Sequence, residues 1–172
     1  ARARPRAGNF NYSEREWQTL IHDAQWLLGQ GVDGIAFGCL DENNGIAVDR
    51  CNEMRRLAKG KKLVFHKAFD DVRDPQKSLE QLIEAGIDRV MTSGHQPTAV
   101  DGLPNIASAC RQAGERIEIL PAGGINARNA KKIMKTARCR QLHGSFSSGK
   151  CANLRLEIEQ TISELTNLSF HH

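Results

Sequence analysis

The chain has 172 residues, of which 40% are hydrophobic and 26% are charged, and its formal net charge is +4. These values are typical of one soluble globular domain over residues 1–172, and they exclude a disordered, collagen-like or disulfide-dense chain. No uncharged apolar run reaches the length of a membrane span, and the basic N-terminus lacks the apolar core of a secretory signal. We therefore expect no membrane partner.

Charge and cysteine content bear on the choice of partner and compartment. Basic residues gather at positions 2–6, 59–62 and 131–140. A nucleic-acid surface usually combines a larger charge excess with a recognisable motif, so we interpret these groups as solvated faces and expect no nucleic-acid partner. The five cysteines are widely spaced and include no Cys-x-x-Cys pair. Reduced thiols in the cytoplasm are the simplest interpretation.

The first predicted helix begins with a capping box formed by Ser13 and Glu16, in which each side chain binds the other residue's backbone N–H. Apolar residues recur behind it at helical spacing. We interpret Trp17 and Trp26 in this helix as packing residues.

Strand-like and helix-like segments then alternate along the chain. Short β-rich runs lie at residues 33–39, 62–67, 88–92, 116–121 and 140–144. Their starts are 24 to 29 residues apart, which is the length of a βα unit. An N-cap at Asp74 before Pro75, and another at Asn126, begin later helices. Apolar stripes at helical spacing lie within residues 79–83, 103–110, 133–134 and 154–165.

This alternation predicts an α/β fold with a parallel sheet covered by helices. A dinucleotide-binding sheet would carry G-x-G-x-x-G after its first strand, and the sequence has none. Gly123 and Gly124 instead follow a late strand, where TIM barrels often bind phosphate. About six βα units are visible, whereas a closed eight-fold barrel typically has about 250 residues. We therefore predict a TIM-barrel-like (βα) repeat that is incomplete or is completed by a partner chain.

The sharpest catalytic candidate is His66, at the carboxyl end of an apolar strand, where barrels place functional residues. A histidine there can act as general acid or base, and Asp70 nearby can tune it. Lys67 can bind an anionic substrate, although alternation along a strand sends His66 and Lys67 to opposite sides. The alternative is a structural histidine that is hydrogen-bonded inside the barrel.

A set of other strand-end residues is compatible with anion binding. Two arginines that are two residues apart can share one face of a strand, although a solvated tail is a strong alternative at a chain terminus. The glycine pair allows close backbone approach before a helix N-terminus, unless it is only a turn. The predicted anion-binding residues are Arg4, Arg6, Lys67, Thr92, Ser93, Gly123, Gly124 and His143.

The sequence assigns no metal ligands. Copper(I) selects thiolates and thioethers that lie close together, and here the methionines and cysteines are scattered. No H-x-x-x-H motif occurs, and no Ser-His-Asp order or nucleophile elbow is present.

The strand-end motifs together resemble one family, the copper homeostasis protein CutC. The matching pieces are Arg4-Pro5-Arg6-x-Gly8-x-Phe10-x-Tyr12-Ser13, Phe65-His66-x-Ala68-Phe69-Asp70, Arg89-Val90-x-Thr92-Ser93-Gly94, Gly102-Leu103, Gly123-Gly124 and His143. The resemblance implies a TIM-like barrel, a cytoplasmic location, a homodimer or higher homo-oligomer, and a role in copper handling. Copper binding is attributed to some members, so copper is a possible ligand by resemblance alone.

The sequence also departs from the family pattern. Ala7 replaces a usual second glycine, Asn9 a common aspartate, and Lys67 a frequent arginine, which keeps the charge but loses the bidentate fork. The family begins with further strand–helix units that carry cysteines and an acidic residue, and its last loop is longer than residues 147–154. Copper ligands in those parts have no counterpart here.

Three functions follow as hypotheses. The first is a cytoplasmic CutC-like copper homeostasis protein. The second is a TIM-barrel enzyme that acts on a small phosphorylated or carboxylated substrate, with His66 as acid or base. The third is a non-catalytic scaffold that works through oligomer contacts.

Overall fold

The computed structural model describes residues 1–144, in which strands and helices alternate. The helices are α1 (Glu14–Gly29), α2 (Val48–Ala58), α3 (Pro75–Glu84), α4 (Leu103–Ala113) and α5 (Ala127–Ala137). The strands are β1 (Gly34–Phe37), β2 (Lys62–Phe65), β3 (Arg89–Thr92) and β4 (Glu118–Pro121). A 3-10 helix, Lys67–Asp71, follows β2 directly. Within these residues, no helix is long and apolar enough to cross a membrane.

The strands form one sheet in the order β1-β2-β3-β4. β1 pairs with β2 in parallel, with Phe37 opposite Phe65, and β2 pairs with β3 in parallel, with Phe65 opposite Val90. Isolated parallel bridges join Arg2 to Ala36 and Ala122 to His143. The prediction of a TIM-barrel-like parallel (βα) repeat is therefore confirmed, with four strands in the sheet of the described residues.

Helix starts follow the predicted capping chemistry. The Glu16 carboxylate accepts from the Ser13 N–H at 2.8 Å, and the Ser13 hydroxyl accepts from the Glu16 N–H at 3.3 Å. Asp74 caps α3 by accepting from the Lys77 N–H at 3.1 Å. Asn126 caps α5 and accepts from the N–H two residues later at 3.0 Å. Helix α2 is an element that the sequence analysis did not predict, and the predicted helix over 154–165 lies outside the described residues.

The structure divides into two compact units, which we describe separately. The first comprises Ala1–Met91 with Ala113–Glu118, and the second comprises Thr92–Gln112 with the chain from Ile119 onward. In the first unit, β1 and β2 bury alternate side chains, and the Phe37 and Phe65 rings meet edge to face with centroids 5.8 Å apart. These contacts form the core beneath the carboxyl ends of β1 and β2.

The prediction that both tryptophans pack in the core is half right. Trp17 is fully buried and its indole N–H donates to Glu53 at 2.6 Å. Trp26, by contrast, is 62% exposed. Helix α1 buries Trp17, Leu20 and Ala24, and Trp26 lies two residues, or about 200°, beyond Ala24 on a 3.6-residue helix. It therefore falls on the opposite face.

Candidate functional site

His66 sits at the point where β2 ends and the 3-10 helix begins. Its backbone N–H donates to the Phe37 carbonyl at 2.7 Å, and its Nδ1 accepts from the Ala68 N–H at 3.1 Å. The residue is only 7% exposed, and its Nε2 has no hydrogen-bond partner among residues 1–144. The capping hydrogen bond therefore fixes the ring and leaves the other nitrogen free to bind something else.

This geometry determines which tautomer His66 adopts. A ring nitrogen that accepts a hydrogen bond carries no proton, so the proton of the neutral imidazole is on Nε2. Burial lowers the pKa of His66 to about 4, with further lowering from the charges of Arg4 and Arg2 against an opposing backbone hydrogen bond. At neutral pH, His66 therefore presents an uncharged N–H donor at Nε2.

Arg4 and His66 both lie against the ring of Phe10. Its guanidinium carbon is 4.7 Å from the Phe10 centroid, and the Phe10 and His66 centroids are 5.0 Å apart. One terminal nitrogen of Arg4 donates to the Gly8 carbonyl at 2.8 Å. The Nε of Arg4 is buried and has no partner in the described part of the chain.

Tyr12 adds a third buried polar group to this region. The residue is 2% exposed, and its hydroxyl has no hydrogen-bond partner within residues 1–144. Burial raises the pKa of Tyr12 despite the opposing effect of Arg4, whose charge and hydrogen-bonding groups lie within reach of the phenol, and of the Arg6 charge. The phenol therefore keeps its proton at neutral pH. We refer to Arg4, Tyr12 and His66 as the donor cluster. Each buried donor without a partner costs about 1–3 kcal/mol, which a bound acceptor would recover.

Arg6 has different partners from Arg4. Its Nε is paired with the Glu16 carboxylate, and one terminal nitrogen donates to the Asn9 side chain and the Asn11 carbonyl, both at 2.9 Å. These bonds tie the segment before α1 to the start of that helix. The predicted anion-binding role of Arg6 stays a prediction.

Lys67 and Asp70 lie together on the 3-10 helix that His66 begins. The Lys67 Nζ is 3.5 Å from an Asp70 carboxylate oxygen. Asp70 is the more buried of the two side chains, so Lys67 balances its charge at the edge of the site. The catalytic role of Asp70 and the anion-binding role of Lys67 stay predictions.

Gly38 is a site residue that the sequence analysis missed. A Cβ on Gly38 would lie 2.5 Å from both Cε1 and Nδ1 of His66 and 2.8 Å from the Ala68 Cβ. The imidazole therefore occupies the space of a side chain at position 38. The signal in the sequence is a glycine directly after a strand, which marks a close approach only once the neighbouring strand is known.

The remaining predicted residues, Thr92, Ser93, Gly123, Gly124 and His143, belong to the second unit. Thr92 accepts from the Gly94 N–H at 2.8 Å, and Ser93 donates to the Gln96 carbonyl at 2.6 Å. Gly123 and Gly124 have φ of 105° and 66°, which are conformations that favour glycine. The backbone N–H of His143 donates to Pro121 at 2.9 Å. Their predicted roles in anion binding stay predictions.

The structure also brings together two cysteines that are far apart in the sequence. Cys39 follows β1, Cys51 lies in α2, and both thiols are buried. The hydrogen bond with Cys51, together with burial, raises the pKa of Cys39 well above its ordinary value. Across residues 1–144, no three His, Cys, Asp or Glu side chains form a group that could hold a metal ion.

The donor cluster does not fit a copper ion. A metal ligand needs a lone pair, whereas the free nitrogen of His66 carries a proton and the guanidinium of Arg4 has no acceptor. A cation would also be repelled by the Arg4 charge. The cluster suits an oxygen atom that accepts hydrogen bonds.

Comparison with known proteins identifies the family. The CutC family model matches residues 1–148. The chain belongs to the CutC family. It is 44% identical over 143 residues to a CutC family protein of Treponema denticola, and 36% identical over 152 residues to the human copper homeostasis protein cutC homolog. These matches cover 83% and 88% of the chain, and the chain spans 58% and 56% of the two relatives.

Solved structures agree with the fold. The crystal structure of the copper homeostasis protein CutC from Streptococcus agalactiae matches with a TM-score of 0.80 and 30% identity, over 84% of this chain and 70% of that one. A 3-hexulose-6-phosphate synthase from Salmonella typhimurium matches with a TM-score of 0.62 and 21% identity, over 88% of this chain and 68% of that one. The second match shows only the shared fold.

The burial of His66 predicts a specific dependence of stability on pH. The folded-state pKa of about 4 lies below the ordinary value of 6.5, so the unfolded chain takes up the proton first as the pH falls. The contribution of His66 to stability is complete above pH 6.5 and is lost as the pH falls towards 4, by up to about 3 kcal/mol. Urea unfolding at a series of pH values should show this loss in the wild type and not in His66→Gln.

The matched control is His22→Gln, which replaces an exposed histidine on α1. This variant should keep the wild-type dependence of unfolding free energy on pH. An identical pH dependence in wild type and His66→Gln would contradict the assignment of a buried neutral His66.

Proposed function

We propose that this CutC-family protein binds a small anionic molecule at the donor cluster, through an oxygen atom of that molecule. The observation that carries the proposal is that three buried polar atoms, Arg4 Nε, Tyr12 Oη and His66 Nε2, have no hydrogen bond of normal geometry within residues 1–144. Such groups are rare in folded proteins unless water, an ion or a ligand satisfies them.

The chemistry of the three groups supports an acceptor as the ligand. The guanidinium and the neutral imidazole N–H can only donate at these atoms, and the phenol can donate as well. A charged donor with two neutral ones is suited to a carboxylate, a phosphate or a carbonyl on which negative charge develops. The position at the carboxyl end of parallel strands supports this assignment, because barrels place their ligands there.

If the bound molecule reacts, His66 acts as a hydrogen-bond donor at neutral pH. With its pKa at about 4, the ring is neutral near pH 7. Its Nε2–H can then polarise a carbonyl or stabilise an oxyanion. Asp70, on the same short helix, then remains the candidate acid or base. This is the form in which the enzyme hypothesis agrees best with the geometry.

Binding of simple anions tests the proposal. We expect simple anions to bind the wild type, the tighter of acetate and inorganic phosphate with a dissociation constant of about 1 mM, as suits ligands of this size. Arg4→Gln removes the charged donor and should weaken binding about 10-fold or more. Titrations followed by NMR on the labelled protein would measure both affinities.

The control for that experiment is Arg15→Gln, since Arg15 is an exposed arginine on α1. It should bind the anions as the wild type does. If neither anion binds the wild type, or if both variants weaken binding equally, the donor cluster is not an anion site, and the non-catalytic scaffold becomes the better hypothesis.

Copper(I) binding is a second candidate function, supported by the contact between Cys39 and Cys51. Thiolates are the ligands that select copper(I), and two of them suffice for a monovalent ion. Binding would release the thiol protons and would therefore strengthen as the pH rises. The family relation to copper homeostasis supports the same ion.

Competition with a chromogenic copper(I) chelator tests this second candidate. The wild type should take up copper(I), and Cys39→Ser or Cys51→Ser should abolish that uptake. Cys110→Ser, which replaces a partly buried thiol on α4, should have no effect. Uptake that survives Cys39→Ser would exclude the thiol pair, as would a wild type that takes up no copper(I).

We also propose a cytoplasmic location and a homo-oligomeric assembly. The described cysteines form no disulfide, which supports a reducing compartment. The homo-oligomer rests on the CutC family relation, and sedimentation of the purified protein would test it.

A further inference from the structure

We infer that the anion recognised by the donor cluster is a monoanionic carboxylate rather than a phosphate, and this inference rests on the proposed function. It names a substrate class, organic acids that present a single carboxylate. Three features of the cluster carry it: its charge, its number of donors and the flat apolar wall beside it.

The first feature is a low positive charge. Arg4 is the cation with an unpartnered buried nitrogen in the described part of the chain, whereas Arg6 pairs with Glu16 and Lys67 pairs with Asp70. Arg2 adds positive potential near His66, but its side chain is exposed to water. Arg4 carries the one positive charge of the cluster, which balances a carboxylate, whereas a phosphate dianion would bring a second negative charge that no group of the cluster balances.

The second feature is that His66 cannot easily become the second positive charge that a phosphate dianion would need. Protonation would place a hydrogen on Nδ1, where the Ala68 N–H already points at 3.1 Å. Two donors would then face each other. A dianion that recruits an imidazolium must first break this capping bond, whereas a monoanion needs only the Nε2–H that is already present.

The third feature is the match in number and shape. Within the described part of the chain the cluster offers three hydrogen-bonding atoms without a well-formed bond, and a carboxylate offers two oxygens with about four acceptor sites in one plane. Phe10 lies against both Arg4 and His66 and gives the site a flat apolar wall. A planar acid can lie along such a ring, whereas a tetrahedral phosphate leaves oxygens pointing at it without donors.

Binding of acetate and methyl phosphate to the full chain at about pH 8, where methyl phosphate is a dianion, tests the inference. We expect acetate to bind at least about 10-fold more tightly, which corresponds to about 1.4 kcal/mol. Equal or tighter binding of methyl phosphate would overturn the carboxylate inference and leave the anion site intact. Failure of both probes would overturn the anion site itself.

Tyr12→Phe separates a ligand-binding role from a structural one. The hydroxyl makes no hydrogen bond of normal geometry within residues 1–144, so its removal should leave the unfolding free energy of the ligand-free protein unchanged or slightly higher. Acetate affinity should nevertheless fall about 5-fold to 10-fold. A loss of stability without ligand, or an unchanged affinity for acetate, would show that the hydroxyl does not serve the ligand.

Discussion

The hydrogen bond from the Ala68 N–H to Nδ1 of His66 is the interaction on which the site depends. It lies at the junction between β2 and the 3-10 helix, and it caps the N-terminus of the short helix that carries Lys67 and Asp70. Because it occupies Nδ1, it leaves a protonated Nε2 as the free end of the ring. The same ring position requires a glycine at position 38, since any side chain there would displace the imidazole.

The donor cluster and the thiol pair imply different chemistry for one CutC-family chain. The cluster consists of groups that donate hydrogen bonds, so it does not stabilise a bound cation. Soft ligands meet instead at Cys39 and Cys51, where both thiols are buried. A small anionic ligand at the carboxyl end of the strands is therefore compatible with a copper site elsewhere in the first unit, and neither requires the other.

Much of the fold could be predicted because it depends on local signals. Capping boxes, strand runs spaced by one βα unit and the absence of a dinucleotide motif led to the parallel repeat and placed His66 at a strand end. What could not be predicted depends on contacts between distant segments. The role of Tyr12 depends on where the chain folds back on Arg4, Gly38 matters only beside His66, and Cys39 meets Cys51 across a loop. The exposure of Trp26 shows that residues within one apolar stretch can lie on opposite faces.

The most direct test of the account is nitrogen-15 NMR of the His66 ring in the intact chain. At about pH 7 we expect a neutral imidazole with its proton on Nε2, an unprotonated Nδ1 and no titration until the pH approaches the pKa of about 4. The Nε2 resonance should shift when acetate is added, while Nδ1 stays an acceptor. A proton on Nδ1, or a ring that titrates near pH 6.5, would contradict the account.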